Sequence, residues 1–252
     1  MIDHALSLAH ALSASRQTRT RGFMNDVNAW RPRLLTGHWF AQLPPSLQDS
    51  VLAAARLRRV PAGACLFQRG DAPCGLYAVV EGSMRIGAVN AQGKEALLAL
   101  VEAPQWFGEI ALFDGQPRTH DAYAEDDCVL VWVPQGALLA LLTATPAWWR
   151  DFALLMSQKL RLAFVMLEQQ SLLAAAPRLA HRLLMIAQGY GEVEGARRVI
   201  RLGQEQLAMM LSLSRQTTNQ ILKELEQQGV VRLSYGEIEI VDWEALGQVA
   251  VR

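Results

Sequence analysis

The chain predicts an α+β fold in three consecutive parts: an N-terminal antiparallel β-roll of the double-stranded β-helix or jelly-roll type, one long helix, and a C-terminal helix pair followed by a hairpin. Three observations predict it. Short apolar runs at residues 65–67, 76–80, 84–89 and 96–101 are split by Arg69-Gly70-Asp71, Glu81-Gly82 and residues 90–93, the pattern of antiparallel strands closing into a roll or barrel. Residues 147–173 contain no Gly or Pro. They place apolar side chains at Phe152, Leu155, Met156, Leu160, Leu162, Ala163, Met166 and Leu167, a helical period with a stripe wide enough for two faces. Residues 203–241 hold two short amphipathic segments separated by Ser212-Leu213 and then an alternating pair of runs around Tyr235-Gly236, which reads as two helices and a hairpin.

At 252 residues and 51% hydrophobic composition the chain can bury a substantial core and is expected to form two domains. The divisions fall at residues 1–32 (a short helix and polar tail), 33–145 (the β-roll), 146–174 (the long helix) and 175–252 (the C-terminal domain), with a hinge at 174–177. The first thirty residues carry Arg16, Arg19 and Arg21 without a continuous apolar core, so no secretion signal is read there. No uncharged apolar stretch of membrane-spanning length occurs, and a cytoplasmic protein without a membrane partner is expected. Cys65, Cys74 and Cys128 are widely spaced and form no CxxC pair, which argues against a disulfide framework and against a structural zinc site. His4, His10, His38, His120 and His181 give no HxH or HxxxH pair in the β region. A cupin-type metal enzyme is therefore the least favoured class, and no metal and no catalytic residue is predicted.

Residues 107–122 read FGEIALFDGQPRTHDA. A Gly-Glu turn and an Arg-Thr pair in one compact region are what a small cyclic phosphate would require: converging backbone N–H groups, a planar guanidinium that matches phosphate oxygens, and a carboxylate for ribose hydroxyls. At these residues the sequence resembles the phosphate-binding cassette of the cyclic-nucleotide-binding family, in particular bacterial transcription regulators of the cyclic-AMP receptor protein and FNR type (Crp/Fnr). Gly70-Asp71, Leu76-Tyr77, Gly82 and Gly93-Lys94-Glu95 also fall where that family places its strand turns. The resemblance implies a ligand site built from Gly108, Glu109, Ile110, Arg118, Thr119 and His120, with a cyclic nucleotide, cyclic AMP or cyclic GMP, as allosteric effector.

Two departures stand out. Cyclic-AMP-binding relatives carry a Thr-Ser pair on the long helix to hold adenine, whereas residues 158–170 here contain no hydroxyl. An unpaired base amino group costs about 1–3 kcal/mol. That leaves open another ligand, cyclic GMP or a cyclic dinucleotide such as cyclic di-GMP, or a pocket kept without its ancestral ligand. His120 stands where a small residue usually follows the Arg-Ser or Arg-Thr pair; a plain surface or packing role is the favoured reading, beside an added phosphate contact or a group that crowds the site. The lack of a cysteine cluster also removes the iron–sulfur chemistry of FNR-like oxygen sensors.

In the C-terminal part, residues 204–211 form a first predicted helix and 214–228 a second, capped by Ser214. Ile221, Leu222 and Leu225 face Leu207, Ala208 and Leu211, leaving Arg215, Gln216, Asn219, Gln220 and Lys223 on the opposite face. The segment LSLSRQTTNQILKELEQQGVV resembles the recognition region of the same family, where SRxT and ILKxLE blocks recur. It implies a winged helix-turn-helix in which Arg215, Gln216 and Gln220 face base edges while Ser214 and Thr217 touch phosphate. Gln216 and Gln220 replace the Glu and Arg of members near the cyclic-AMP receptor protein, so a different operator is expected. Ser212 occupies a turn position often filled by Gly, at a cost of roughly 1 kcal/mol if its φ is positive. Residues 178–252 hold nine Lys plus Arg against nine Asp plus Glu, so DNA affinity must come from a local cluster rather than from net charge.

The combined expectation is a homodimer, joined along helix 147–173, that senses a small anionic effector, binds a near-palindromic double-stranded operator and meets RNA polymerase. The alternative is the same regulator with a vestigial sensor or one controlled by cyclic di-GMP, haem or protein contact.

Overall fold

The computed structural model describes residues 26–251 apart from Ala91, Lys94 and Glu194. The N-terminal tail to residue 25 and the Lys94 turn position therefore lie outside the described residues. A single turn at Val27–Trp30 leads into α1 (Arg31–Leu34), α2 (His38–Gln42) and α3 (Pro45–Ala54). The roll follows with β1 (Arg56–Val60), β2 (Cys65–Phe67), β3 (Gly75–Glu81), β4 (Ser83–Val89), β5 (Glu95–Glu102), β6 (Trp106–Phe107), a short α4 (Ile110–Asp114), β7 (Asp121–Ala124) and β8 (Cys128–Pro134). Two four-stranded antiparallel sheets result, ordered β1-β8-β3-β6 and β2-β7-β4-β5.

The two-residue period of β3 explains why this strand is apolar throughout. Tyr77 and Val79 point between the sheets and join Phe67, Met84, Phe107 and Leu130. Leu76, Ala78 and Val80 point outward under a helical cover that includes Trp39, Phe40, Leu47, Leu138 and Phe152. A strand buried on both faces needs no polar side.

The helical cover is completed by α5 (Gln135–Ala144) and the first turns of α6 (Trp149–Leu172). The long helix starts at Trp149 rather than 147, because Pro146–Trp148 forms a 3-10 turn. Phe152 and Leu155 are buried in the roll's outer core. Further along, α6 runs free on one side, with Leu160 53%, Phe164 62% and Leu167 63% exposed. Those positions are one helical stripe. A second stripe, Lys159, Leu162, Ala163 and Met166, turns toward the roll.

Extended backbone at Leu173 and Ala174 ends α6, and α7 (Ala175–Ala187) opens the C-terminal domain. Pro177 lies in its first turn, where a missing N–H is tolerated. The helix stops at Ala187, because residues 189–191 form a separate turn with positive φ at all three positions. Then come β9 (Val199–Arg201), α8 (Gln204–Leu211), α9 (Arg215–Gln227), β10 (Val231–Ser234), β11 (Glu237–Ile240) and α10 (Trp243–Val251). The hairpin pairs Ser234 with Glu237 and Val231 with Ile240, and β9 adds to its other edge. The last helix, α10, is an element that sequence reasoning did not anticipate. Asp242 caps it through Ala245 N at 2.9 Å, and Leu246 and Ala250 lock it onto the domain core.

The C-terminal domain is docked on the roll. Leu97 and Leu100 of β5 belong to its apolar core. Arg197 makes a bidentate pair with Glu102 at 3.0 and 2.8 Å, and Gln206 donates to Glu125 at 2.8 Å.

Candidate functional sites

A cavity of about 280 Å³ lies between the roll, the inward stripe of α6 and residues 190 and 192 of the C-terminal domain. All six sequence-predicted ligand residues, Gly108, Glu109, Ile110, Arg118, Thr119 and His120, line it. The chain reaches this arrangement because Gly108, at φ 95°, lets the backbone pass directly over the arginine. A Cβ at that position would sit 2.8 Å from Arg118 Nη1.

Arg118 is only 5% exposed. Its Nη1 donates to Gly108 O at 2.8 Å, and its Nη2 donates to Gly75 O at 2.5 Å and to Cys74 Sγ at 3.0 Å. The guanidinium stacks on Phe67, with 4.3 Å from Cζ to the ring centroid. Its Nε is buried without a partner. Among the described residues no carboxylate pairs with it. Most of the guanidinium fork is already held by carbonyls and sulfur, which orient the charge. A buried cation without an anion is costly, so the wall it occupies favours an incoming negative group.

Glu109 is buried and pairs with Lys159 of α6 at 2.9 Å, and Lys159 also donates to Trp106 O. Thr119 Oγ1 and His120 Nδ1 are bonded to each other at 2.9 Å. Burial, and then the charge of Arg69, push the His120 imidazole below its ordinary range. Sequence reasoning missed Cys74, Gln105, Lys159, Tyr190 and Glu192. None of these sits in a recognisable motif; Lys159 alone could have been suspected, as the one ammonium within the apolar inward stripe.

The second site is α9. Ser214 caps it, its Oγ accepting from Thr217 N at 3.0 Å. Ser212 adopts φ 53°, ψ 38°, the left-handed conformation that its turn position demands. Ile221, Leu222 and Leu225 are buried with Leu207, Ala208 and Leu211, which fixes the face left outward. Ser214, Arg215, Gln216, Thr217, Gln220 and Lys223 are exposed, and Asn219 is half-buried. Gln220 donates to Glu224 at 2.7 Å, so its amide must exchange that partner to reach a base. Arg215 lines a cleft toward the roll, whose opposite wall includes Glu81, Glu102, Glu125 and Asp126.

The two halves of this architecture match two known domains: a cyclic nucleotide-binding domain over residues 57–145 and a Crp-like helix-turn-helix domain over residues 177–249. The cyclic AMP receptor protein of Thermus thermophilus is 31% identical over 212 residues, covering 84% of this chain and 95% of that protein. The chain belongs to the Crp/Fnr family of transcription regulators.

Other Crp/Fnr relatives agree. A CRP-like cAMP-activated global transcriptional regulator of Mycobacterium tuberculosis is 30% identical over 192 residues, covering 75% of this chain and 86% of that one. Among solved structures, a CRP/FNR-family regulator of Thermus thermophilus superposes with a TM-score of 0.63 at 28% identity, over 78% of this chain and 99% of that chain. The c-di-GMP responsive regulator CLP of Xanthomonas campestris shares the fold with a TM-score of 0.64 at 20% identity, over 79% of this chain and all of that one. As a Crp/Fnr member, the protein is a DNA-binding transcription regulator with a cyclic-nucleotide-binding domain, not an enzyme. No described helix is long and apolar enough to cross a membrane, and the described residues hold no cluster suited to a metal ion.

Proposed function

We propose that the protein is an effector-responsive regulator whose cavity takes a cyclic mononucleotide, with the phosphate at Arg118, and whose α9 reads a near-palindromic operator from within a homodimer joined along α6. The observation that carries the sensor reading is the buried guanidinium of Arg118, oriented by Gly75 O and Gly108 O and left without a carboxylate. Glu109 complements it: Lys159 occupies Oε2, and the other oxygen is available to a ribose hydroxyl. At about 280 Å³ the cavity lies just below the usual range of ligand sites, roughly 300–1,000 Å³, and it presents a single buried guanidinium. Both features favour one phosphate and one base over a cyclic dinucleotide.

The dimer reading rests on the outward stripe Leu160, Phe164 and Leu167, which a second α6 would cover. Within such a dimer two copies of α9 would present Arg215, Gln216 and Gln220 to base edges and Ser214 and Thr217 to phosphates, with Lys223 adding charge. Effector control then follows as a population shift, limited by the ligand's differential affinity for the docked and undocked arrangements of the C-terminal domain. RNA polymerase is the expected further partner.

Calorimetric titration of the full chain with cyclic AMP, cyclic GMP and cyclic di-GMP tests the reading. Heat from a cyclic mononucleotide supports it. No heat from any of the three removes it in favour of control by another route, a reading that the internal Glu109–Lys159 pair also accommodates.

A further inference from the structure

The cavity has a wall that the long helix does not supply. Residues 189–193, between α7 and β9, reach back from the C-terminal domain, and Tyr190 and Glu192 line the cavity. The segment is firmly held. Gln105 Nε2 donates to Gly189 O at 3.0 Å, His38 N donates to Glu192 O at 2.8 Å, His38 Nδ1 bonds Gly191 O at 2.9 Å, and Gly37 bridges to Val193. Tyr190 sits at φ 55°, ψ 27°, a conformation that a non-glycine residue keeps only when its surroundings impose it and that is concentrated at ligand clamps and switch regions.

The polar groups around the cavity are largely committed. Lys159 holds Glu109 and Trp106 O, Thr119 and His120 hold each other, and Gln105 bonds Gly189 O and Glu102 N. The α6 wall contributes Leu162, Ala163 and Met166, which offer a base no hydrogen bond. The Glu192 carboxylate makes no hydrogen bond to the protein among the described residues. Glu192 is half-buried; burial raises its pKa, Lys159 pulls it back, Glu109 raises it again and His38 lowers it, so the group sits among charges on the cavity wall.

We infer that Glu192 reads the base of the effector and selects guanine over adenine. The inference rests on the cavity being the cyclic-nucleotide site. A carboxylate presents two acceptors side by side. Guanine offers two adjacent donors, N1–H and the N2 amino group, which pair with both oxygens, and bonds to a charged acceptor are the stronger kind. Adenine offers one amino donor beside the N1 lone pair, which would face the second oxygen and repel it. The flat ring finds aromatic and apolar neighbours in Tyr190 and Met166. Because Glu192 belongs to the C-terminal domain while Arg118 belongs to the roll, one ligand molecule bridges the two. It thereby has a direct means of distinguishing the docked arrangement from any other.

Titration of the full chain with cyclic GMP and cyclic AMP, in the wild type and in Glu192→Gln, tests this. The wild type is expected to bind cyclic GMP about ten- to a hundredfold more tightly. In the isosteric Glu192→Gln, which offers one donor and one acceptor and so suits adenine, that preference is expected to vanish or invert. A wild type that favours cyclic AMP, or an unchanged ratio in Glu192→Gln, overturns the inference while leaving the cavity as a nucleotide site. Binding of neither nucleotide by the wild type removes both readings. A far-UV circular dichroism spectrum matching the wild type's shows that Glu192→Gln is folded.

Discussion

Arg118 and Arg215 are the two arginines on which the functional reading turns, and the structure treats them in opposite ways. Arg118 is sealed against Phe67 and fixed by two backbone carbonyls and a thiol. Arg215 stands exposed at the first turn of α9 and, among the described residues, donates no hydrogen bond. A buried, oriented cation binds one small anion with little screening and little further ordering, whereas a solvated cation gains its affinity by releasing counterions from a polyanion and stays sensitive to salt. On the proposed reading, one side-chain type serves two ends: buried and pre-oriented at Arg118 for a small anion, exposed at Arg215 for DNA.

The largest expected effect comes from the buried side. Arg118→Ala should weaken the effector by at least about a hundredfold, because the buried positive charge and the N–H donors not already held, Nε among them, are lost together. It should also lower stability by about 1–3 kcal/mol for each of Gly75 O and Gly108 O left without a donor. Calorimetry and urea denaturation measure the two losses. Arg118→Lys sharpens the contrast, since it keeps the charge but not the planar fork and should restore stability only in part. Normal effector binding by Arg118→Ala would break the comparison.

On the exposed side, Arg215→Ala should cost about 1–3 kcal/mol of operator affinity and relax base preference at one position, without changing the fold. Binding assays with operators selected from a random pool, repeated at several salt concentrations, check it. Smaller effects test how α9 is held. Ser214→Ala should lower stability by about 1 kcal/mol through loss of the bond to Thr217 N. Ser212→Gly should raise stability by up to about 1 kcal/mol, since glycine adopts positive φ freely, less what the unfolded chain gains in entropy. Smallest is Lys223→Ala, expected to weaken all DNA sequences nearly alike and to reduce the salt slope by about 1.

Much of this was legible along the chain. Strand periods around Gly70, Gly82 and Gly93, the Gly- and Pro-free run of α6, and the capped segment from Ser214 are local signals, and local signals report backbone conformation and which face is apolar. The cassette residues 108–110 and 118–120 were recognisable because one loop carries them all. Their company was not. Cys74 and Gly75 come from β3 and its approach, Lys159 from a helix fifty residues away in sequence from Glu109, and Tyr190 and Glu192 from another domain. Each is an ordinary residue in its own neighbourhood.

Read along the chain alone, the roll's strands, the long helix, the helix pair with its hairpin, the cassette motif and the outward face of α9 could be placed, because periodicity, caps and turn residues act over a few positions; α10 and the helices that cover the roll could not. Long-range packing is what buries Arg118 with no carboxylate beside it among the described residues, gives Glu109 to Lys159, and brings Glu192 of the C-terminal domain to the cavity wall. Desolvation and charge pairing depend on what distant segments bring to the same few ångströms, and no local pattern encodes that.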